Sequence, residues 1–363
     1  MAKIFDASAV YLLGPTSFLG KSFAAPIAGK LLSMGKSVFL VDDTITGGET
    51  PVAGCTVIGS AQLARDNATT GLAINMANAV FAHGFFAQAA ARAGMPVIDI
   101  IPVLDAFDLP VIYQPAQLMR EKTLARLDDY LAFAEQLDDA FSIRTLGAFI
   151  ELRITLDRNA LLPTLCSLED EYFSPYPAGK DITFALRDDE ILCDVGAHVG
   201  TTIYKFLTAN RWQYQAIHAF EPDTGNFAAL KRGIFESLPN FHPHNMALSD
   251  TRSTLSFSET GSMGSRLDAN GNTQVQASTL DDEVQHATFI KMDVEGHEAK
   301  ILQGATRLIA NSKPRLAITG YHFADDLLDI VQVIRNIEPG YRLRLRQHSF
   351  YYYDTILYAD VAP

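Results

Sequence analysis

The stretch EILCDVGAHVG, Glu190–Gly200, joins a short apolar run to a glycine-containing turn, and a helical pattern follows it. An apolar run that ends at glycine is typical of a buried parallel strand. Gly196 and Gly200 permit a tight turn and a close approach of the backbone to a ligand. Amide groups at the helix start can then bind an anionic group such as a carboxylate. A purely structural turn would also explain the two glycines.

The next strand, within QAIHAFEPD at Gln215–Asp223, ends in Phe220-Glu221-Pro222. Glu221 follows Gly200 by about twenty residues, the spacing at which an acidic side chain accepts hydrogen bonds from ribose hydroxyls in dinucleotide-binding folds. An acidic residue at a strand end can instead cap a helix. The two signals together favour an adenosine-containing ligand.

Strand and helix patterns continue to alternate through the rest of the chain. FHPHNMALSD (Phe241–Asp250), TFIKMDVEG (Thr288–Gly296) and RLAITGYH (Arg315–His322) each predict a strand, and RLRLRQHS with DTILYAD predicts a closing antiparallel pair. SETGSMGSRLDANGN, Ser258–Asn272, is rich in glycine, serine and asparagine. This composition predicts a β-hairpin or a mobile flap.

The first hundred residues show a similar alternation. AVYLLGP (Ala9–Pro15), an alanine-rich helix and SVFLVDD (Ser37–Asp43) outline a nucleotide-fold-like βαβ unit. As a signal for NAD it is weak, because Thr16 stands where the fingerprint requires its second glycine. The unit is therefore either a module for a nucleotide sugar or a scaffold without a ligand, and we favour the scaffold.

A helical connector is predicted between the two α/β parts. Leu124, Leu127, Leu131, Ala134 and Leu137 recur every three or four residues and predict one apolar helix face. The proline-rich stretch FSPYPAGKD then marks the entrance to the second domain. We expect a Rossmann-like domain over 1–114, the connector over 115–171 and a second domain over 172–363.

Composition limits the function classes. The chain has 363 residues, 48% of them hydrophobic, and a formal net charge of -13, which argues against nucleic acid as a partner. Its three cysteines have no CxxC spacing, so we expect a reducing, cytoplasmic compartment. The apolar run near the N-terminus is too short for a membrane span, so we expect no membrane association.

Five motifs follow one another between Asp194 and Ala305: DVGAHVG, FEPD, NMALSD, STLDD and IKMDVEGHEAKILQGA. In this order they resemble the FkbM family of S-adenosylmethionine-dependent methyltransferases, over roughly 172–360. The resemblance implies an α/β class I methyltransferase fold, Rossmann-like, with a mostly parallel seven-stranded sheet.

The resemblance also implies a cofactor site for S-adenosyl-L-methionine. It assigns the methionine part of the cofactor to Asp194, Gly196, Ala197 and Gly200, and the ribose to Glu221. It assigns adenine to Ala247, Leu248 and Ser249. The position of NMALSD after a strand agrees, because ligands bind beyond the carboxyl ends of strands in open α/β sheets. Turn capping is an alternative for Asn245 and Asp250.

Acidic residues follow the strand that contains KMD. Methyl transfer requires the acceptor to be held in attack geometry, and an alcohol acceptor also has to lose its proton. Asp293 or Glu295 is therefore a candidate base or acceptor-positioning group, with His322 as its neighbour. Glu298 has a simpler explanation, a favourable position near a helix N-terminus. A divalent metal held by these carboxylates with His297 is left open, since no diagnostic spacing supports it.

The leading hypothesis is an O-methyltransferase that acts on a hydroxyl of a saccharide or a secondary metabolite. Two alternatives stay open: an NAD- or nucleotide-sugar-dependent enzyme with an accessory methyltransferase-like domain, and a non-catalytic S-adenosylmethionine-binding protein. A homo-oligomer is compatible with each of them.

Overall fold

A computed structural model describes residues 4, 6–45, 50–63, 71–173, 186–260 and 264–361. The chain divides into two compact units. The front unit comprises Met1–Leu124, Ala148–Pro163 and Ser349–Tyr352; the rear unit comprises Ala125–Gly147, Thr164–His348 and Tyr353–Pro363. The predicted α/β class is confirmed. The predicted borders at 114/115 and 171/172 differ from those of the compact units and stay a prediction for independently folding domains.

The front unit contains a five-stranded parallel sheet in the order β3-β2-β1-β4-β5. Its core contains Tyr11, Leu13, Val41 and Ala73. Its elements are β1 (Ala9–Leu13), α1 (Phe18–Ser33), β2 (Ser37–Val41), β3 (Thr56–Ile58), α2 (Ser60–Leu63), β4 (Gly71–Asn75), α3 (Val80–Arg92), β5 (Val97–Asp99) and α4 (Ile100–Ala106).

The region predicted as a connector is helical, but its buried face differs from the predicted one. It contains α5 (Ala116–Ala125), α6 (Leu127–Ala134), α7 (Ala140–Thr155) and 3₁₀ helices at Arg158–Thr164 and Leu168–Asp170. Leu124, Leu127 and Leu131 are exposed, whereas Tyr130 and Phe133 are buried. The expected face assumed one continuous helix. Leu127 and Leu131 lie on one face of α6 yet are exposed, because Tyr130 and Phe133 occupy its buried face; Leu137, beyond the end of α6, is buried as predicted.

The rear unit contains a seven-stranded sheet in the order β15-β16-β14-β13-β6-β7-β8. The strands from β8 to β14 in this order are parallel, and β16 is antiparallel to both of its neighbours. Its elements are β6 (Ile191–Val195), α8 (Thr201–Ala209), β7 (Ala216–Phe220), α9 (Thr224–Leu230), β8 (Phe241–His244), β9 (Ala247–Leu248), β10 (Ser253–Ser258), β11 (Arg266–Leu267), β12 (Thr273–Ser278), α10 (Leu280–Glu283), β13 (Phe289–Met292), α11 (Glu298–Gln303), α12 (Thr306–Ser312), β14 (Arg315–Thr319), α13 (Asp326–Ile337), β15 (Arg342–Gln347) and β16 (Thr355–Asp360).

Aromatic and aliphatic side chains fill one face of this sheet. The Phe173 ring lies 5.5 Å from that of Phe206 and 5.0 Å from that of Phe289. Such contacts join α8 to β13, so the core holds the strand ends in fixed register. The predicted closing antiparallel pair is β15 and β16.

A smaller sheet, in the order β11-β10-β12-β9, lies within the same unit. Strands β10 and β12 flank the predicted flap, which contributes Ser258, Arg266 and Leu267 to this sheet; 261–263 lie outside the described residues. β10 and β12 are antiparallel, as expected for a hairpin. None of the helices in the described ranges has the length and apolarity that crossing a bilayer requires.

Candidate functional site

The carboxyl ends of β6, β7, β13 and β14 share one edge of the seven-stranded sheet. The chain continues from β6 to neighbouring β7, and the sheet later extends on the other side of β6 through β13. Such a switch in strand order opens a crevice where α/β proteins bind ligands. The predicted residues of the cofactor and acceptor sites lie at or just after these four strand ends, except for the predicted adenine residues.

Asp194, near the end of β6, is fully buried beside a lysine that we did not predict. Lys291 of β13 is paired in register with Asp194, and its Nζ lies 3.0 Å from Oδ1. The same ammonium donates to the Gly196 carbonyl at 2.9 Å. Burial raises the pKa of Asp194, and the charge of Lys291 offsets part of that increase. Burial alone would lower the pKa of Lys291, but the charges of Asp194 and Asp293 raise it. The pair is therefore an ion pair that fixes the Gly196 turn.

The turn after β6 requires its glycines for reasons of packing as well as ligand approach. Gly196 has a φ of +79°, and a Cβ there would lie 1.9 Å from the Asp293 carbonyl oxygen. Gly200 has a φ of +89°, and its Cβ would lie 2.6 Å from the Phe235 ring. The amides of Gly196 and Ala197 donate to the Phe220 carbonyl. These two amides are already used by the protein, so the predicted grip on an anionic group would have to come from elsewhere in the turn.

Glu221 lies directly after β7 with 5% of its surface exposed. One carboxylate oxygen accepts from the His198 amide at 2.8 Å, and the other accepts from the Asp223 amide at 2.9 Å. Burial raises the pKa of Glu221 to about 7, although the two N–H donors act in the opposite direction. Each oxygen keeps a further lone pair with which it could accept a hydroxyl donor.

The predicted adenine residues lie on a separate short strand. Ala247 and Leu248 form β9, which is parallel to β12, and both are buried together with Ser249. The Ser249 hydroxyl lies 2.9 Å from Nε2 of His297. Asn245 donates its side-chain amide to the carbonyls of Glu221 and Pro222, which fits the turn-capping alternative.

The predicted flap contacts the segment that follows Glu221. The Ser265 hydroxyl donates to Oδ2 of Asp223 at 2.7 Å. Glu259 accepts from the backbone amide of Thr224 at 2.8 Å and also from its hydroxyl. The flap therefore lies against the start of α9, beside the predicted ribose site.

A cluster of one histidine and three carboxylates lies at the ends of β13 and β14. His322 is fully buried; its Nε2 lies 3.1 Å from Oε2 of Glu295 and 3.4 Å from Oδ1 of Asp293, and its Nδ1 lies 3.3 Å from Oε1 of Glu298. Burial opposes charging of the imidazole, yet the neighbouring carboxylates, Glu298 first, raise the pKa of His322 well above its usual value. Burial likewise opposes ionisation of Asp293, but the hydrogen bond and charge of His322 lower its pKa to about 2. Asp293 is thus a poor proton acceptor and a good hydrogen-bond acceptor.

Two further side chains orient the cluster. The Tyr172 hydroxyl donates to Oδ2 of Asp293 at 3.0 Å. The Thr319 hydroxyl lies 3.0 Å from Oε1 of Glu298, which also accepts from the Val294 amide at 3.0 Å. Glu295 has a φ of +61°, and this left-handed backbone directs the chain into the Gly296 turn. The structure therefore brings Asp293, Glu295 and His322 together as predicted.

A family model described as the methyltransferase FkbM domain matches residues 194–343. The match begins at Asp194 and includes every strand end described above. Residues 194–343 are a methyltransferase FkbM domain.

Two known proteins resemble this chain. Hexuronic acid methyltransferase AglP of Haloferax volcanii is 25% identical over 156 residues, which cover 41% of this chain and 62% of that protein, less than two thirds of its length. The crystal structure of methyltransferase FkbM from Methylobacillus flagellatus KT is 23% identical, covers 99% of this chain and 93% of its own, and superposes with a TM-score of 0.77. The second likeness shows similarity of fold alone, and it extends over the residues of both units.

Within the FkbM domain, the sequence analysis missed one residue of the site and gave two others a different role or position. Lys291 was overlooked because it is a single cation in a short apolar strand, FIKM, all four residues of which are buried. Glu298 was explained by a helix terminus, although its carboxylate contacts His322. His297, which we grouped with the carboxylates, contacts Ser249 instead. His297 starts the turn into α11 and its side chain points to another strand end, so that grouping is wrong.

The corresponding turn of the front unit is filled by its own side chains. The Thr16 hydroxyl donates to Asp42, which also accepts from the amide and hydroxyl of Thr44. Ser17 donates to the Met76 carbonyl at 2.9 Å, and the Phe18 amide donates to Asn78 at 3.2 Å. The polar groups at this strand edge are thus bonded to one another.

Proposed function

We propose that this protein transfers a methyl group from S-adenosyl-L-methionine to a hydroxyl of a saccharide or another small molecule. The observation that carries the proposal is the shared strand edge: Glu221 and the Gly196 turn lie at the ends of β7 and β6, next to Asp293 and His322 at the ends of β13 and β14. The carboxylate that we propose for the ribose and the cluster that we propose for the acceptor would therefore be neighbours in one crevice.

The sheet supports the choice of cofactor. The seven-stranded sheet, with five parallel strands and an antiparallel closing pair, supports the class I methyltransferase fold that the resemblance implies. Glu221 fits a ribose, since its two oxygens can accept hydroxyl donors while the His198 and Asp223 amides hold them in place. The cofactor supplies an electrophilic methyl group, and the residues described here would bind and orient it.

Asp293 and Glu295 would orient the acceptor, and Glu295 would take the hydroxyl proton that methyl transfer releases. Displacement at carbon requires the acceptor oxygen to lie in line with the methyl group, and fixing that geometry supplies much of the rate increase. The lowered pKa of Asp293 suits a carboxylate that accepts a hydrogen bond from the hydroxyl. A saccharide acceptor is supported by the resemblance to a hexuronic acid methyltransferase.

The test is an activity assay with methyl-labelled cofactor and a panel of saccharides, including uronic acids. Turnover is measured as the formation of S-adenosylhomocysteine. Glu221→Gln should weaken S-adenosylhomocysteine binding in calorimetry, and Asp293→Asn should abolish turnover while that binding survives. Glu236→Gln, an exposed glutamate in the same unit, is the matched control.

Several outcomes would contradict the proposal. Near-normal turnover of Asp293→Asn would remove Asp293 from the mechanism. Saturable binding of NAD without binding of S-adenosylhomocysteine would favour an oxidoreductase. Cofactor affinity without turnover of any acceptor would favour a non-catalytic binding protein.

A further inference from the structure

The side chains of Asp293, Glu295 and His322 converge from three positions, the end of β13, the turn before α11 and the end of β14. Their Oδ1, Oε2 and Nε2 atoms all lie within 4.8 Å of one another. Nε2 is 3.1 Å from the Glu295 oxygen and 3.4 Å from the Asp293 oxygen. The donor set is one imidazole nitrogen and two carboxylate oxygens.

We propose that Asp293, Glu295 and His322 bind one divalent transition-metal cation, for which Mn²⁺ is the representative probe. In the methyl transfer proposed above, on which this role of the metal rests, the cation would hold the acceptor hydroxyl.

The separations suit a shared cation. Donors bound at about 2.1 Å lie about 3.0 Å apart at right angles and about 3.4 Å apart at the tetrahedral angle. The observed contacts of 3.1 and 3.4 Å fall at these two values. A protonated Nε2 carries only one N–H, whereas two carboxylate oxygens approach it. One proton serves both oxygens poorly, and a cation placed between the three donors would contact all of them.

The charge balance points the same way. Glu298 adds a third carboxylate, 3.3 Å from Nδ1 of His322, so even a charged imidazole leaves the cluster with an excess of two negative charges. The charge of Lys291 also acts on Asp293, but its ammonium is paired with Asp194 at 3.0 Å, so it offsets part of this excess. Charge that is removed from water requires compensation, and a dication supplies it.

The surroundings of the three donors resemble the outer shell of a metal site. A histidine that binds a metal through one nitrogen usually has a carboxylate or carbonyl at the other. Glu298 holds that position, and the Val294 amide and Thr319 hydroxyl fix its carboxylate. The Tyr172 hydroxyl contacts Oδ2 of Asp293, whereas Oδ1 lies 3.4 Å from Nε2 of His322 and 3.3 Å from the Thr319 hydroxyl.

A second group of donors, Glu298, His322 and Asp326, shares the histidine and is less suitable. Oε1 of Glu298, the oxygen next to His322, accepts from both Val294 and Thr319 at 3.0 Å, and Asp326 accepts from the Phe323 amide at 2.7 Å. Oδ1 of Asp293 has a longer contact of 3.3 Å with Thr319. The Asp293 and Glu295 side chains are 25% and 19% exposed, so a cation there could still contact a substrate. One imidazole with carboxylates favours a first-row transition metal over Mg²⁺ or Ca²⁺, which prefer oxygen ligands alone.

The experiment treats the full chain with EDTA and then titrates it with Mn²⁺. Electron paramagnetic resonance measures the free Mn²⁺ at each step of the titration. The proposal expects one site per chain. Loss of a supporting partner weakens metal binding by about 10–100-fold, so loss of a ligand in Asp293→Asn or Glu295→Gln should weaken it at least about tenfold. Asp326→Asn is the matched control and should bind like the unchanged protein.

Absence of a stoichiometric site would overturn the proposal, and the cluster would then be an imidazolium held by carboxylates. Weaker binding in Asp326→Asn with unchanged binding in Asp293→Asn would overturn it too, in favour of the second group. Circular dichroism checks the fold of each variant, and the partly exposed Glu295 provides a second variant should Asp293→Asn unfold. S-adenosylhomocysteine binding to the EDTA-treated protein separates the two proposals: if it persists without a Mn²⁺ site, only the metal proposal fails.

Discussion

Glu221 and Asp194 are carboxylates at the ends of neighbouring strands, but their surroundings give them different tasks. Asp194 has no exposed surface and is paired with Lys291. Glu221 is held only by two backbone amides, and burial raises its pKa to about 7. Asp194 is therefore suited to holding the turn, and Glu221 to contacting a ligand.

The raised pKa of Glu221 predicts a pH dependence of cofactor binding. Above pH 7 the carboxylate is ionised and accepts hydrogen bonds from ribose hydroxyls; below pH 7 it becomes protonated and loses acceptor capacity. Affinity for S-adenosylhomocysteine should therefore fall toward pH 6, approaching about a tenfold loss per pH unit well below the pKa. Calorimetry between pH 6 and 8 measures this, and Glu221→Gln should flatten the profile. An equally steep profile in that variant would assign the dependence to another group.

Removal of the Lys291 charge should destabilise the fold. Lys291→Met leaves Asp194 buried without a counter-charge, and breaking such a pair costs about 3–5 kcal/mol. The double change Asp194→Asn with Lys291→Met removes both charges, so it should recover part of that loss. Urea denaturation of the single and double variants gives the two free energies of unfolding. Equal destabilisation in both would show that the Lys291 hydrogen bond to Gly196, rather than the ion pair, carries the effect.

At the scale of elements, the sequence predicts strands and helices from their local hydrophobic patterns. It does not predict contacts between residues that are distant in the sequence. The strands at Ala9–Leu13, Ile191–Val195 and Ala216–Phe220 were readable because buried parallel strands are short apolar runs. The apolar face predicted for the connector was wrong at Leu124, Leu127 and Leu131, because the spacing of leucines does not show that Tyr130 and Phe133 take the buried face of α6. The contact of Glu298 with His322 joins residues that are distant in the sequence, so local spacing gave no signal for it.

The turn between β6 and α8 offers a test at this scale. Gly196→Ala places a Cβ 1.9 Å from the Asp293 carbonyl oxygen at a φ of +79°. Gly233→Ala is a matched control, with a φ of +68° and no atom within 4 Å of its Cβ. The control should lose about 1–2 kcal/mol from backbone strain alone. Gly196→Ala should lose at least about 2 kcal/mol more and should weaken cofactor binding. Thermal unfolding and calorimetry compare them, and equal losses would show that the turn adapts.

For the whole molecule, the two units present parallel strands with an acidic residue at a comparable place, after the strand that follows the first βα turn. Asp42 in the front unit is bonded to Thr16 and Thr44, whereas Glu221 in the rear unit is bonded to backbone amides alone. This difference supports our proposal that the front unit is a scaffold and the rear unit carries the chemistry.

The scaffold proposal predicts opposite behaviour of these two carboxylates in one pair of variants. Asp42→Asn removes the charge and replaces one of the two acceptor oxygens, such as the Oδ2 that accepts from Thr16, with an NH2 donor, so it should lower the free energy of unfolding by about 1–3 kcal/mol. It should leave S-adenosylhomocysteine affinity and methyl transfer unchanged, because its partners lie within the front unit. Glu221→Gln should reduce that affinity instead. Calorimetry with a nucleotide sugar completes the comparison. If the unchanged protein shows saturable binding and Asp42→Asn does not, the front unit binds a ligand of its own and the scaffold proposal fails, because a scaffold without a ligand would show no heat of binding in either protein.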